Sequence, residues 1–402
     1  MKERRSLFQM IFGNKKQVQN YSQLQLMNGY NSVFTNFKGN IYESKVAREC
    51  IDRIATHCAK LEPMHIKGSK SVHVKGDIDY ILSNQPNPIM NTYDFLYKVI
   101  TILYKDSNAF IFQKKDKNGT IEGFYPILGT SYELLENQNH NLFFKFQFIN
   151  GKNYILPYEE LIHLRKFYGT HDIFGTNSSV LNTDLDTALA SSEGTKNAIK
   201  LSNSLKGILK FTNAMIDNKD VIKNRDRFVN DFLSLENNGG IAALDAKADF
   251  KEIELKPITL DAEQMKQINE NIYNFFGISE KIVKNNYTQI EWNAFYEGVI
   301  EPIAIQLSNE FTNKIFSQKA IKDGNKIIFN TNRIHYASLD SKINLIKVAA
   351  SYGLLTKDDG REILDMTPLG GEEGSKILQS LNNIDSSIAN KYQGGEGNGE
   401  KN

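Results

Sequence analysis

The chain has 402 residues, 40% hydrophobic and 11% aromatic, and its 48 basic and 47 acidic residues leave a formal net charge of +1. That length gives room for two or three domains with a substantial core. The charge balance excludes the basic excess of a free-standing nucleic-acid binder, so any DNA contact must be local, weak or produced by assembly.

Residues 1–40 open with MKERRSLFQMIFGNKK and are rich in Asn, Gln and Ser. They predict a flexible, partly basic arm, either free or docked on a neighbouring subunit or protein. The apolar piece LFQMIFG is too short and polar for a signal-peptide core, and no small-residue cleavage site follows. Val46, Ala47, Cys50, Ile51, Ile54, Ala55, Cys58 and Leu61 recur at three- and four-residue spacing, which predicts a helix over Ser44–Leu61 stopped by Pro63. Cys50 and Cys58 fit neither a zinc signature nor a disulfide framework and read as two buried thiols of an intracellular chain. Asp77–Ser83 is a short helical turn, and Asn84-Gln-Pro-Asn-Pro is a rigid connector. Thr92 opens a helix whose inward face is Tyr93, Leu96, Val99, Ile100, Leu103 and Tyr104.

From Ser107 to Leu164 the period changes to two. Ala109–Gln113 and Ile121–Tyr125 flank Asn118-Gly119, and Leu142–Ile149 and Asn153–Leu156 flank Asn150-Gly151, both strong hairpin signals. An antiparallel β unit set on helices makes the first domain α+β. Ser178–Lys206 is a helical pattern on the order of 40 Å long, with small and polar residues (ALASSEGTKNA) at its middle. Gly207–Leu255 reads as strand Ile208–Phe211, helix Asp217–Leu235, and strands Ile241–Leu244 and Phe250–Leu255. Leu260–Gly277 is an amphipathic helix. It leads into the loop Lys281–Gln289 (KIVKNNYTQ), and a second helix follows immediately to Phe316. A strand Lys326–Asn330 and helices near Leu339–Tyr352 and Lys357–Leu364 complete the ordered part. Thr356 and Asp359 are placed for a capping box, and the Gly-rich tail from Ser386 is expected to be disordered.

Enzymatic readings find little support. Gly370-Gly-Glu-Glu-Gly-Ser-Lys lacks the order of a phosphate loop, follows no strand and reads as a turn. The seven histidines are scattered without helical metal-site spacing, and His163 in ELIHLRKF reads as a core or rim strand residue. Asp184 and Asp186, or Asp358 and Asp359, could in principle hold a metal. On a helix, however, adjacent residues point about 100° apart, and Asp358 and Asp359 sit in a first turn that favours carboxylates electrostatically. No catalytic residue, metal site or cofactor is expected. The single tryptophan, Trp292, is read as core, with base stacking as the alternative if it is exposed. The 281–289 loop instead has a composition suited to touching a phosphate backbone without reading sequence.

Several segments, in this order, resemble the portal proteins of tailed bacteriophages of the siphovirus type. They are VARECIDRIATHCAKL (46–61), followed by the Leu82-Ser-Asn-Gln-Pro-Asn-Pro connector, and YDFLYKVITILYKDSNAFIF (93–112). In the latter, Ser107-Asn-Ala-Phe stands where the family has a Gly-Asn-Ala-Tyr type element. YNFFGISEKIV (273–283) has Ser279 in place of a proline. The helix Phe295–Phe311 carries Val299-Ile-Glu-Pro302, and YGLLTKDDGREILDMTPLGG (352–371) has Gly360 where a glutamate is common.

The resemblance implies a portal fold built as a ring of twelve copies around a DNA channel at a capsid vertex, with no enzymatic activity and no membrane association. By its pattern, 1–40 is a flexible arm and 41–177 a mixed α/β wing. Residues 178–206 and 258–278 are paired stem helices around a small α/β clip, 207–257. A tunnel loop, 279–290, is followed by a wing return helix and strand, 291–335, a helical crown, 336–383, and a disordered tail, 384–402. Lys281, Lys284, Asn285, Asn286, Tyr287 and Thr288 are then expected to face DNA. Asp217, Lys219, Lys223, Arg225 and Arg227 on the clip are expected to dock terminase or adaptor. Implied partners are further copies of the chain, double-stranded DNA without sequence specificity, the large terminase subunit, a head-completion adaptor, and the major capsid and scaffold proteins. The implied location is the virion, and the host cytoplasm during assembly. The competing readings are another phage head–tail or baseplate ring component, and a metal-dependent DNA-processing enzyme.

Overall fold

The two Asn-Gly signals mark two hairpins in the computed structural model of the chain, each with its glycine in the left-handed region (Gly119 φ +86°, Gly151 φ +74°), where a side chain would be strained. The structure describes residues 24–26, 41–68, 71–169, 172–176, 180–202, 207–211, 219, 222–223, 226, 248–252, 261–331, 339–364 and 366–378. The chain divides into two compact units, Met1–Ser178 with Phe276–Asn402, and Ser179–Phe275.

In the larger unit, strand β1 (Leu24–Leu26) is the one described piece of the expected arm, and it pairs antiparallel with a strand of its own chain, β6 (Ser131–Asn137). Helix α1 (Lys45–Cys58) starts at Ser44. Its inner face, including Cys50, Ile51, Ile54 and Cys58, is buried, and burial pushes the Cys50 thiol up to about 12. Strand β2 (Glu62–Lys67) follows, then β3 (Val72–His73), helix α2 (Asp77–Ser83) and helix α3 (Thr92–Asp106). Hairpin β4 (Asn108–Lys115) and β5 (Ile121–Ile127) forms a three-stranded sheet with β9 (Leu161–Arg165). Strands β6, β7 (Leu142–Gln147) and β8 (Asn153–Pro157) form a second sheet, with β1 at its edge. Phe110, Phe112, Phe144, Phe146 and Phe174 fill the core shared by these two sheets.

The turn from α3 into β4 accounts physically for the Ser107-Asn-Ala-Phe element. Ser107 is in the left-handed region (φ +56°), a conformation for which glycine is the natural residue. Buried Asn108 donates to the Gly175 carbonyl and accepts from the Gly175 amide, each at 2.8 Å. His163 Nε2 lies 3.0 Å from the same side-chain oxygen. His163 is fully buried and desolvation keeps its imidazole neutral, the core role expected of it.

Strand β12 (Lys326–Asn330) pairs antiparallel with β2, joining distant parts of the sequence in a third sheet. The last described segment contains α9 (Leu339–Ser351), β13 (Leu355–Thr356), α10 (Lys357–Ile363), α11 (Gly371–Gly374) and β14 (Ile377–Leu378). Gly370-Gly-Glu-Glu-Gly-Ser-Lys is therefore a single helical turn leading into a strand paired with β13, rather than a plain turn.

In the smaller unit, helix α4 (Val180–Ser202) covers most of the predicted long helix. Strands β10 (Gly207–Phe211) and β11 (Ala248–Glu252) pair antiparallel. Helix α5 (Ala262–Phe276) closes the unit. The predicted strand Ile241–Leu244 and the tail from Ser386 lie outside the described residues. Among the described residues no helix is long and apolar enough to cross a membrane.

Candidate nucleic-acid interface

Helix α5 ends at Phe276 because Gly277 takes a left-handed conformation (φ +69°), and a Cβ there would come within 3.1 Å of Val299. Ser279 then caps a new short helix, α6 (Glu280–Val283), by accepting from the Ile282 amide. The expected loop is thus part helix, and two of its residues, Ile282 and Val283, point into the core. Arg53 Nε donates to the Val283 carbonyl at 3.0 Å and ties the loop to α1. Asn285 reverses the chain in the left-handed region (φ +54°), and the Asn286 amide closes the turn on the Lys281 carbonyl at 2.8 Å.

The next helix, α7 (Gln289–Phe295), begins with a complete capping box between Thr288 and Glu291. Sequence reasoning passed over this box, although the Thr-x-x-Glu pattern announces it. A π turn, Tyr296–Ile300, then joins α7 to α8 (Glu301–Ile315). It falls where Pro302 cannot donate to the carbonyl four residues earlier, at Gly298, so the register of the helix shifts there. Tyr287 stacks on Trp292 with ring centres 5.3 Å apart. Trp292 is buried and meets His57 edge-on at 4.9 Å, which places it in the core.

Both loop lysines are paired. Lys281 Nζ donates to Glu291 at 2.5 Å and Lys284 Nζ donates to Glu280 at 2.6 Å. The Lys281 hydrogen bond, with help from the Thr288 amide, holds the Glu291 carboxyl down at about 2. The exposed residues of the loop are Lys281, Lys284, Asn285, Asn286 and Thr288, with the charge of the two lysines balanced by the two glutamates. Glu280 pairs at the favourable i,i+4 helical spacing. Glu291 reaches Lys281 only because the loop folds back on itself.

The other expected residues are separate from this loop in the sequence and in the division into units. Lys219 and Lys223 are exposed helical residues, while Asp217, Arg225 and Arg227 lie outside the described residues. Asp359 completes the capping box with Thr356. Asp358 accepts from the Leu369 and Gly370 amides at 2.6 and 3.0 Å. Among the described residues no group of three metal-binding side chains comes together.

A family model described as "Phage portal protein" matches residues 45–365. The chain is 24% identical over 362 residues to the "Probable portal protein" of Lactococcus phage p2, covering 85% of each, and the same holds for that of Lactococcus phage SK1. In fold it is similar to a chain in the neck of an empty gene transfer agent particle computed with C6 symmetry. There the TM-score is 0.60 and the identity 13%, over 84% of this chain and 96% of that one. A chain in the neck of the native particle computed with C12 symmetry matches at TM-score 0.58 and 13% identity, over 85% and 97%.

Proposed function

The chain belongs to the phage portal protein family, and on that premise we propose that it assembles as a ring of twelve copies at a capsid vertex, a conduit for DNA during packaging and ejection. The observation that carries this reading is the family match across residues 45–365, which takes in both compact units and the 281–289 loop.

In this reading residues 41–177 and 291–335 are the wing, 336–383 the crown, and 178–206 and 258–278 the stem helices around a clip at 207–257. The grouping of Ser179–Phe275 into its own compact unit supports that division. Residues 279–290 are the tunnel loop, with Lys281, Lys284, Asn285, Asn286, Tyr287 and Thr288 toward DNA. The lysine–glutamate pairs suit such a role. A ring repeats each side chain, so an unbalanced lysine would become a belt of charge holding duplex DNA, whereas paired lysines leave a polar surface along which DNA slides.

The clip residues Asp217, Lys219, Lys223, Arg225 and Arg227 are the proposed docking points for the large terminase subunit and a head-completion adaptor. The capsid and scaffold proteins are the remaining partners, met in the host cytoplasm during assembly. A structural role without catalysis fits the aspartates: Asp358 and Asp359 spend their carboxylates on backbone amides and a cap, so a metal-dependent nuclease would first have to dismantle its own fold there. Negative-stain imaging of the purified chain tests the reading. Closed rings with a central hole are expected, and a persistent monomer that cleaves DNA with added Mg²⁺ would overturn it.

A further inference from the structure

Lys166, immediately after β9, sits in an aromatic cradle. Its Nζ lies 3.8 Å from the centre of the Tyr104 ring and 4.9 Å from that of Phe167. Among the described residues no carboxylate lies within ion-pair distance of this amine, and no group hydrogen-bonds to it. The neighbouring cations are committed: Arg165 pairs with Glu310, and Lys314 Nζ donates to the Tyr158 carbonyl at 2.8 Å.

The cradle is built against a backbone preference. Phe167 takes a left-handed conformation (φ +56°), an outlier for a bulky side chain. Two backbone hydrogen bonds hold it there. The Lys166 amide donates to the Ser107 carbonyl at 2.9 Å, and the Thr176 amide donates to the Phe167 carbonyl at 2.6 Å. Strain of this kind persists only where the surroundings over-determine it, and it collects at functional positions.

Ring faces attract an ammonium ion only weakly. Burial without a counter-ion acts more strongly against the charged form, and it lowers the Lys166 pKa from 10.5 to about 8. Near neutral pH a sizeable share of this amine is unprotonated, against about one in a thousand for an ordinary lysine.

We propose that Lys166 is a reactive amine, a site of covalent modification by activated acyl groups of the acyl phosphate class. The unprotonated Nζ attacks the carbonyl carbon, an amide N–C bond forms, and the C–O bond to phosphate breaks. Phosphate leaves with the bonding pair, and the proton released by nitrogen passes to solvent, so no oxidant or reductant is needed. Lys166 is half-buried, which favours a small reagent over a bulky one. The amide product is uncharged, so modification removes the attraction between the amine and the two rings. The site lies within one copy of the chain and does not depend on assembly.

The test treats the full-length chain with limiting acetyl phosphate at about pH 7.5 and reads the acetylation rate of each lysine by peptide mass spectrometry. Lys117 and Lys152, exposed on the two hairpin turns, are the internal references. The gain in unprotonated fraction is on the order of 200-fold, and the lower basicity removes roughly tenfold of it on the slope known for thiols. Lys166 is expected to react at least about tenfold faster than either reference. Its rate is also expected to level off between about pH 8 and 9, while the references keep rising toward about pH 10. Any one of three results would overturn the proposal: equal rates, no acetylation at Lys166, or a Lys166 rate that climbs alongside the references.

Discussion

The Lys281 ammonium group lies 2.5 Å from a carboxylate oxygen of Glu291, the same side chain that caps the Thr288 amide. One glutamate therefore fixes the shape of the loop and cancels half of its positive charge. Glu291→Gln keeps a hydrogen-bonding group and removes the charge, leaving Lys281 free to meet phosphate. Assembled rings of this variant are expected to bind duplex DNA several-fold more tightly. The plot of log affinity against log salt should steepen by about 0.9 for each phosphate newly contacted. An unchanged slope would mean that Lys281 does not approach DNA.

His57 gives the chain an acid-sensitive point beside the loop. Its ring packs edge-on against Trp292 and Phe295, and burial lowers its pKa from 6.5 to about 4. The unfolded chain thus takes up a proton at a higher pH than the folded one. Stability is lost as pH falls from about 6.5 toward 4, by on the order of 3 kcal/mol in the limit, with no further loss from this group below that. Denaturant unfolding at pH 7 and pH 4.5 should show a smaller difference in His57→Phe than in the wild type.

Ser107 holds a left-handed conformation that favours glycine. Ser107→Gly relieves that strain while giving the unfolded chain more freedom, for a net gain of about 0.5–1 kcal/mol in unfolding free energy. A loss of stability would show that the Ser107 side chain contributes more than the backbone strain costs.

Asn108→Leu has the opposite sign. It leaves the Gly175 amide and carbonyl and the His163 ring without the partners that Asn108 supplies. The expected cost is roughly 2–4 kcal/mol, read as a lower denaturation midpoint.

Local chemistry made much of the fold legible in the sequence. The two Asn-Gly hairpins, the α1 stripe and the Thr356–Asp359 cap each depend on residues within a few positions of one another, and each is found as expected. The pairing of β12 with β2 was not legible, because periodicity names a strand and not its partner. Strand β6 escaped as well, since the β6–β7 turn carries no Asn-Gly pair; β9 was legible as a strand around His163, but its pairing with β4 was not. In the loop, lysines and asparagines read correctly as exposed and polar. Their neutralisation did not, since the Lys281–Glu291 contact exists only once Asn285 has reversed the chain.

The proposal that Lys281, Lys284, Asn285, Asn286, Tyr287 and Thr288 face DNA in a channel is tested most directly by a cryo-EM reconstruction of the assembled ring. The prediction is a ring whose narrowest inner radius is formed by residues 281–288 from every subunit. A ring that carries this loop on its outer surface would contradict it.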